Sequence, residues 1–346
     1  MIMAITQKEL AKILGITQMT VSRCLRGAPN VSVRTHEAVL AAARQYGYSL
    51  DNQFAASALQ HRRSGRPHAT NVICAIIREI PGEFTGFHQR LLDGVCDGAA
   101  QFGSEVIVAP RMEEDYPRVV RRKQVDGVVH LLSDSVLQDG ISDCPVPWVS
   151  ILFDVSGADV VTVDNRAAMR DLGRHLARLG HRRFAFIGPD TVLGRQRLAG
   201  VRQAAAEFGG TLPDDCVVFC SHTVAFEQGG VLAASLAERA AALPSRDRFT
   251  ALAAYNDIMA AAAIRGLTAK GVRVPQDVSV VGCDGTVPHN PPLTTVALPL
   301  EALGVEAARL IAWRLEHLDA PRRKRVLRTT LVDGQTTQRV LMSPRG

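Results

Sequence analysis

The sequence predicts an α/β protein: a three-helix helix-turn-helix module at the N-terminus, followed by two parallel sheets with helices on both faces. Three observations carry this reading. Caps and glycine stops divide the first fifty residues into three short amphipathic segments. The whole net charge of +6 lies in residues 1–66, which hold nine Lys/Arg against three acids, while the rest of the chain balances. From residue 71 onward, short apolar runs alternate with helical stretches of a dozen residues or more, the pattern that builds parallel sheets.

In the N-terminal module, Thr6-Gln7-Lys8-Glu9 has the spacing of a capping box and opens a first helix. Leu10, Ile13 and Leu14 form its apolar face, and Gly15 ends it because glycine takes the left-handed cap conformation cheaply. Thr17 caps a second helix running to about Arg26. There Val21, Cys24 and Leu25 face inward, while Gln18, Met19, Ser22, Arg23 and Arg26 fall on the other side. A third helix follows Ser32, with Val39, Ala42, Ala43 and Tyr46 inward, and stops at Gly47. The outward groups of the second helix are those that major-groove base edges accept. Gln18 suits adenine N6/N7, Arg23 suits guanine and Met19 suits a thymine methyl. The alternative for Arg23 is a surface ion pair. The localised positive charge favours a polyanion, since a basic face gains affinity by releasing counterions from phosphates.

The stretch "TQKELAKILGITQMTVSRCLRGAPNVSVRTHEAVLAAARQYGY" resembles the headpiece of the LacI/GalR family of bacterial transcription regulators. The match includes T-V-S-R at Thr20 to Arg23, Val31-Ser32 and the closing Gly47-Tyr48. "TQMTVSRCLR" is most similar to the gluconate-repressor subgroup, which bears on operator sequence alone. With the resemblance, the candidate DNA contacts are Thr6, Thr17, Gln18, Met19, Thr20, Ser22, Arg23, Arg26 and Asn30. In that family a hinge helix follows the headpiece and wedges a leucine into the minor groove, unstacking a base step. Here the usual position falls on Ser57, and the nearest leucine is Leu59, two residues on. The hinge is therefore either re-registered or without its wedge, and a plain tether is the alternative. Residues 51–70 otherwise have the Arg/Ser/Gly/Pro composition of a domain boundary.

Beyond the linker, NVICAII, EVIVA, DGVVHLL, PWVSIL, RFAFIG, CVVFC, FTALAA and VSVVG read as strands. The helical segments between and after them fall at 86–102, 165–180, 195–208, 226–242, 257–270 and 300–318. Ligands of open parallel sheets sit beyond the carboxyl ends of strands. Polar residues just after strands are therefore site candidates, and Asn256, Asp257 and Asp284 qualify. Arg197 lies in the helix after RFAFIG. "VDNRAAMRDLGRHLARLGHRRFAFIG", "QRLAGVRQA", "AAYNDIMAAAAIRGLTAKGVRVPQDVSVVGCDG" and "PPLTTVALPLEALG" resemble the effector domain of the same family, itself similar to periplasmic sugar-binding proteins with two lobes and a cleft.

The resemblance implies three domains: a 1–50 headpiece, a 51–70 hinge and a 71–340 effector-binding and dimerisation domain. Its first lobe would be about 71–163 plus 293–320, and its second about 164–290 plus 323–340. Arg197, Asn256 and Asp284 stand where the family's effector contacts stand, and Phe87 matches an aromatic at the cleft mouth. A carboxylate, an amide and a guanidinium together suit vicinal hydroxyls, which both donate and accept. Asp257 reads instead as a helix-capping carboxylate, and an interlobe ion pair is the alternative for Arg197. Gly285, Leu298 and Gly334 replace polar or charged residues common in relatives, which bears on which effector is bound.

Other chemistry is poorly supported. There is no GxGxxG, GxxxxGK, GxSxG or HExxH, so nucleotide, serine-hydrolase and zinc-protease readings lack their motifs. Cys216, Cys220 and His222 could share a strand face, but such a cluster without a second ligand pair reads as core. Seven scattered cysteines without CxxC predict no disulfide framework, and no apolar run reaches membrane length. "MIMAITQKELAK" enters an amphipathic pattern without a secretory h-region. The expectation is a cytoplasmic homodimeric regulator, most simply a repressor, without enzyme activity, metal or cofactor. It would bind pseudo-palindromic double-stranded operator DNA and a small sugar or sugar-acid effector. An activator, or a sensor of a nucleoside or purine-like ligand, is the alternative within the fold. A solute-binding protein and a sugar-acting enzyme are the alternatives outside it.

Overall fold

The computed structural model describes residues 7–25, 32–45, 70–77, 86–110, 116–131, 144–220 and 225–340. The chain divides into two compact units, Met1–Thr70 and Asn71–Gly346.

In the first unit, α1 (Gln7–Leu14), α2 (Gln18–Leu25) and α3 (Val33–Gln45) form a small bundle. Gly15 has φ +64° and turns the chain after α1. Thr17 Oγ1 accepts the Thr20 N–H at 3.1 Å, and Ser32 Oγ accepts the Thr35 N–H at 3.2 Å, so both expected starts are capped. Leu10, Ala11, Val21, Cys24, Val39, Ala42 and Ala43 make the core. Ile13, expected inward, is 49% exposed. Ala11 and Leu14 lie one and four residues from Leu10 and fill that face first. The capping box at Thr6 and the inward Tyr46 lie outside the described residues.

The second unit holds two six-stranded sheets, ordered β11-β5-β4-β3-β1-β2 and β12-β10-β9-β8-β6-β7. The first contains β1 (Val72–Ile77), β2 (Glu105–Pro110), β3 (Gly127–Leu131), β4 (Trp148–Ile151), β5 (Asp159–Val163) and β11 (Lys324–Leu327). The second contains β6 (Phe184–Pro189), β7 (Val217–Cys220), β8 (Ala251–Ala254), β9 (Ser279–Asp284), β10 (Thr294–Ala297) and β12 (Thr330–Val332). Among the described residues every pairing of these strands is parallel except β10 with β12. The central strands are buried along their whole length, as sheets covered on both faces require.

Helices α4 (Gly86–Ala100), the short α5 (Arg118–Arg121) and α10 (Leu300–Glu316) belong to the first lobe. The second lobe has α6 (Asn165–Arg178), α7 (Val192–Glu207), α8 (Ala225–Ala241) and α9 (Asp257–Ala269). A Cβ placed on Gly304 would lie 2.3 Å from the Leu91 carbonyl oxygen, so α4 and α10 touch backbone to backbone.

Two lobe boundaries differ from expectation. Strand β10, assigned from sequence to the first lobe, lies between β9 and β12 in the second sheet. Strand β11, assigned to the second lobe, pairs with β5 in the first. The chain passes between lobes three times, after β5, β10 and β11. The last two passes follow strands of four residues, too short to show their partner in sequence.

Candidate functional site

The exposed side of α2 is built by its neighbours. Val21 and Cys24 are fully buried, which rotates Thr17, Gln18, Met19 and Arg23 to the outside; Met19 is 65% exposed. Thr20 and Ser22 are half-buried at the edge of that face. Among the described residues no carboxylate pairs with Arg23. The other predicted contacts, Thr6, Arg26, Asn30, Ser57 and Leu59, lie outside the described residues.

In the second unit, both sheets reverse their strand order beside the first strand, β1 and β6 respectively. The carboxyl ends of β6, β8 and β9 therefore converge at a switch point where ligands of such sheets bind. Arg197 projects there from α7 and is 2% exposed. Its Nη2 donates to Asp284 Oδ1 at 2.9 Å, its Nε to Asn165 Oδ1 at 3.2 Å, and its Nη1 to the Tyr255 carbonyl. The guanidinium also lies over the Tyr255 ring, 4.5 Å from its centroid. All these partners belong to the second lobe, so Arg197 does not bridge the lobes.

Asp284 ends β9 with φ +112°, a backbone setting that L-residues rarely adopt and that concentrates at functional sites. Burial pushes its carboxyl above the ordinary range, and Arg197 pulls it only part of the way back. Asn256 caps α9 by accepting the Met259 N–H at 2.9 Å, which leaves its amide NH2 as the part the helix does not use.

Asp257, read from sequence as a helix cap, has a different task, because Asn256 takes the cap. Its Oδ1 accepts from the Thr295 hydroxyl at 2.6 Å and its Oδ2 from the Thr286 N–H at 2.9 Å, tying β10 and the loop after β9 to the start of α9. Burial, helped by the charge of Asp284, pushes its carboxyl up to about 6.

Phe87 belongs to the facing lobe, at the start of α4, half-buried against the same apolar cluster as Tyr255. A Cβ on its neighbour Gly86 would lie 4.0 Å from the Thr286 carbonyl oxygen, so this end of α4 meets the second lobe. The structure thus brings Arg197, Asp284 and the Tyr255-Asn256 turn together, with Phe87 across from them.

Sequence reasoning missed Asn165, Tyr255 and Arg90. For Asn165 the available signal was its place just after DVVTVD, a strand-like run not among the eight read as strands.

At Gly285 and Gly334 a side chain would be crowded. Gly285 has φ +70°, and a Cβ there would lie 2.7 Å from Ala297 Cβ; one on Gly334 would lie 2.4 Å from the Pro292 carbonyl oxygen. Leu298 is buried. Cys216 and Cys220 are buried too, Cys220 Sγ donating to the Gly188 carbonyl at 3.4 Å, while His222 lies outside the described residues. Among the described residues no helix is long and apolar enough to cross a membrane.

A family model described as bacterial regulatory proteins, lacI family, matches residues 6–51. A second, described as a periplasmic binding protein-like domain, matches residues 174–337. The HTH-type transcriptional regulator CelR of Thermobifida fusca is 33% identical over 328 residues, covering 90% of this chain and 92% of that protein. The HTH-type transcriptional regulator DegA of Bacillus subtilis (strain 168) is 29% identical over 324 residues, covering 89% and 90%. A solved structure of a transcriptional regulator CelR-cellobiose complex superposes with a TM-score of 0.67 at 28% identity, covering 96% of this chain and 99% of that one.

Proposed function

The chain belongs to the lacI family of bacterial regulatory proteins, and from that premise we propose that it is a repressor whose hold on operator DNA is controlled by a small neutral carbohydrate. That it is a DNA-binding transcriptional regulator and not an enzyme follows from the family itself. The finer reading rests on the buried Arg197–Asp284 pair at the switch point of the second sheet. A guanidinium, a carboxylate and an amide offer both donors and acceptors to adjacent hydroxyls. Arg197 is already neutralised by Asp284, so it offers no uncompensated cation to an acidic ligand. This favours a neutral sugar over a sugar acid. The cellobiose in the CelR complex supports the same class.

The division of labour follows the chain. Residues 1–50 read DNA through α2, with Gln18, Met19 and Arg23 at base edges and Thr17, Thr20 and Ser22 alongside. Residues 51–70 join this headpiece to the sensor in residues 71–340. One short helix reads only a few base pairs, so a homodimer on a pseudo-palindromic site is required for useful specificity. Ligand binding between the lobes changes their relative angle and thereby the placing of the two headpieces. It does so only to the extent that the ligand prefers one angle over the other. A regulator acting on chromosomal DNA works in the cytoplasm.

The test has two arms. Selection from random duplexes should yield a palindromic site whose affinity falls steeply as salt rises. A thermal-shift panel of neutral sugars, sugar acids and nucleosides should give a shift with neutral sugars that Asp284→Ala abolishes. A flat salt dependence overturns the DNA reading; a full shift in Asp284→Ala overturns the cleft.

A further inference from the structure

Arg90 lies in the second turn of α4, a helix of the first lobe, and it makes three directed contacts. Its Nε and Nη2 donate to Glu301 Oε1 and Oε2 at 2.5 and 2.9 Å, a two-pronged pair with the first turn of α10 in its own lobe. Its Nη1 donates to the Gly285 carbonyl, in the second lobe, at 3.2 Å. Gly285 directly follows Asp284, and Thr286 gives its N–H to Asp257. The loop 284–286 is therefore held from both sides. Arg197 and Asp257 fix it to the second lobe, and Arg90 fixes it to the first.

Two features make this a directed link. A guanidinium forked onto a carboxylate has its remaining N–H directions set by the planar group. Helices α4 and α10, which carry the two halves of the fork, touch backbone to backbone at Gly304 and at Gly94, where a Cβ would lie 2.1 Å from the Glu301 carbonyl oxygen. The fork itself is open to solvent: the Arg90 and Glu301 side chains are 38% and 47% exposed, and such pairs contribute little to stability. A change in the angle between the lobes that draws α4 away from the loop 284–286 stretches or breaks the bond to Gly285, next to the carboxylate of the candidate site.

We infer that Arg90 is a positioning residue of the switch: it carries the position of the Asp284 loop to the first lobe, so that cleft geometry and lobe angle change together. This rests on the reading that the cleft controls DNA binding. Removing the link shifts the balance between lobe angles without touching either ligand surface.

The experiment measures operator affinity of the full-length, ligand-free chain by fluorescence anisotropy, using the duplex obtained by selection. Four proteins are compared: the parent, Arg90→Gln, Arg90→Lys, and Arg309→Gln as a control that removes an equal charge from an exposed first-lobe ion pair. Arg90→Gln is expected to change the dissociation constant at least fivefold, within the 5- to 150-fold span of ordinary allosteric coupling. Its melting temperature and the slope of affinity against salt should stay at parent values. Arg90→Lys should restore part of the effect, and Arg309→Gln should match the parent. Parent-like affinity in Arg90→Gln overturns the inference, and so does an equal change in Arg309→Gln, which would reduce it to charge. A parent chain that binds no duplex refutes the regulator reading itself and the inference with it.

Discussion

Replacing Asp284 by Asn leaves the Arg197 guanidinium in place, 2% exposed, with a neutral amide where its carboxylate stood. Arginine cannot shed its proton, so the site holds an uncompensated buried charge. Breaking such a pair from one side costs about 3–5 kcal/mol. Replacing Arg197 by Met removes the charge but strands Asp284, Asn165 Oδ1 and the Tyr255 carbonyl, at a cost of similar size near neutral pH. The two losses share one interaction, so the double variant should be less destabilised than the sum of the singles, by about 2–3 kcal/mol. The singles should lower the melting temperature by roughly 6–20 °C, at about 2–4 °C per kcal/mol for a unit of this size. An acid branch adds a second check. Asp284 can take up a proton and Arg197 cannot lose one, so Arg197→Met should recover stability as pH falls while Asp284→Asn does not. Thermal and urea melts of the four proteins, at neutral and acid pH, measure all of this. Single-variant losses that simply add refute the coupling of the two side chains, whatever their individual sizes.

Asp257 titrates near 6 in the folded chain, above about 3.9 in the unfolded one, so the folded state binds its proton more tightly. The stability this contributes is complete below pH 4 and is lost as pH rises through 6, about 3 kcal/mol in all. The stability of the parent minus that of Asp257→Asn should fall by that amount between pH 4 and 7 in urea melts; a constant difference would contradict the assignment. Arg23→Ala should weaken operator binding by about 1–3 kcal/mol and relax base preference at one position, read by competition against single-base variants of the duplex. An unchanged preference there means that α2 does not read the groove through Arg23. Gly304→Ala should destabilise the second unit by about 1–3 kcal/mol, because the new methyl meets the backbone of α4 at Leu91 and Val95. A melting temperature equal to the parent's would show that the helices can separate freely.

Much of the molecule is written locally. The caps at Thr17 and Ser32, the turn at Gly15 and the inward Val21 and Cys24 depend on residues three or four apart, so they can be read from the chain. The same holds for the eight apolar runs that became strands and for the placing of Asp284 and Asn256 at strand ends, where a parallel sheet puts its ligands. Other features depend on what the chain meets far away. Strands β10, β11 and β12 have three or four residues each, and their sheets are chosen by crossovers whose partners lie up to 164 residues distant. Ile13 and Leu14 look alike in sequence until the bundle decides which is covered. Asp257 reads as a cap until packing brings Thr286 and Thr295 to it. Arg197 and Asp284 are 87 residues apart, and only the fold joins them into one neutral, buried pair. Periodicity and capping act through nearest neighbours along the backbone. The pairing of buried charges depends on which distant segments exclude water together, and that is settled in three dimensions.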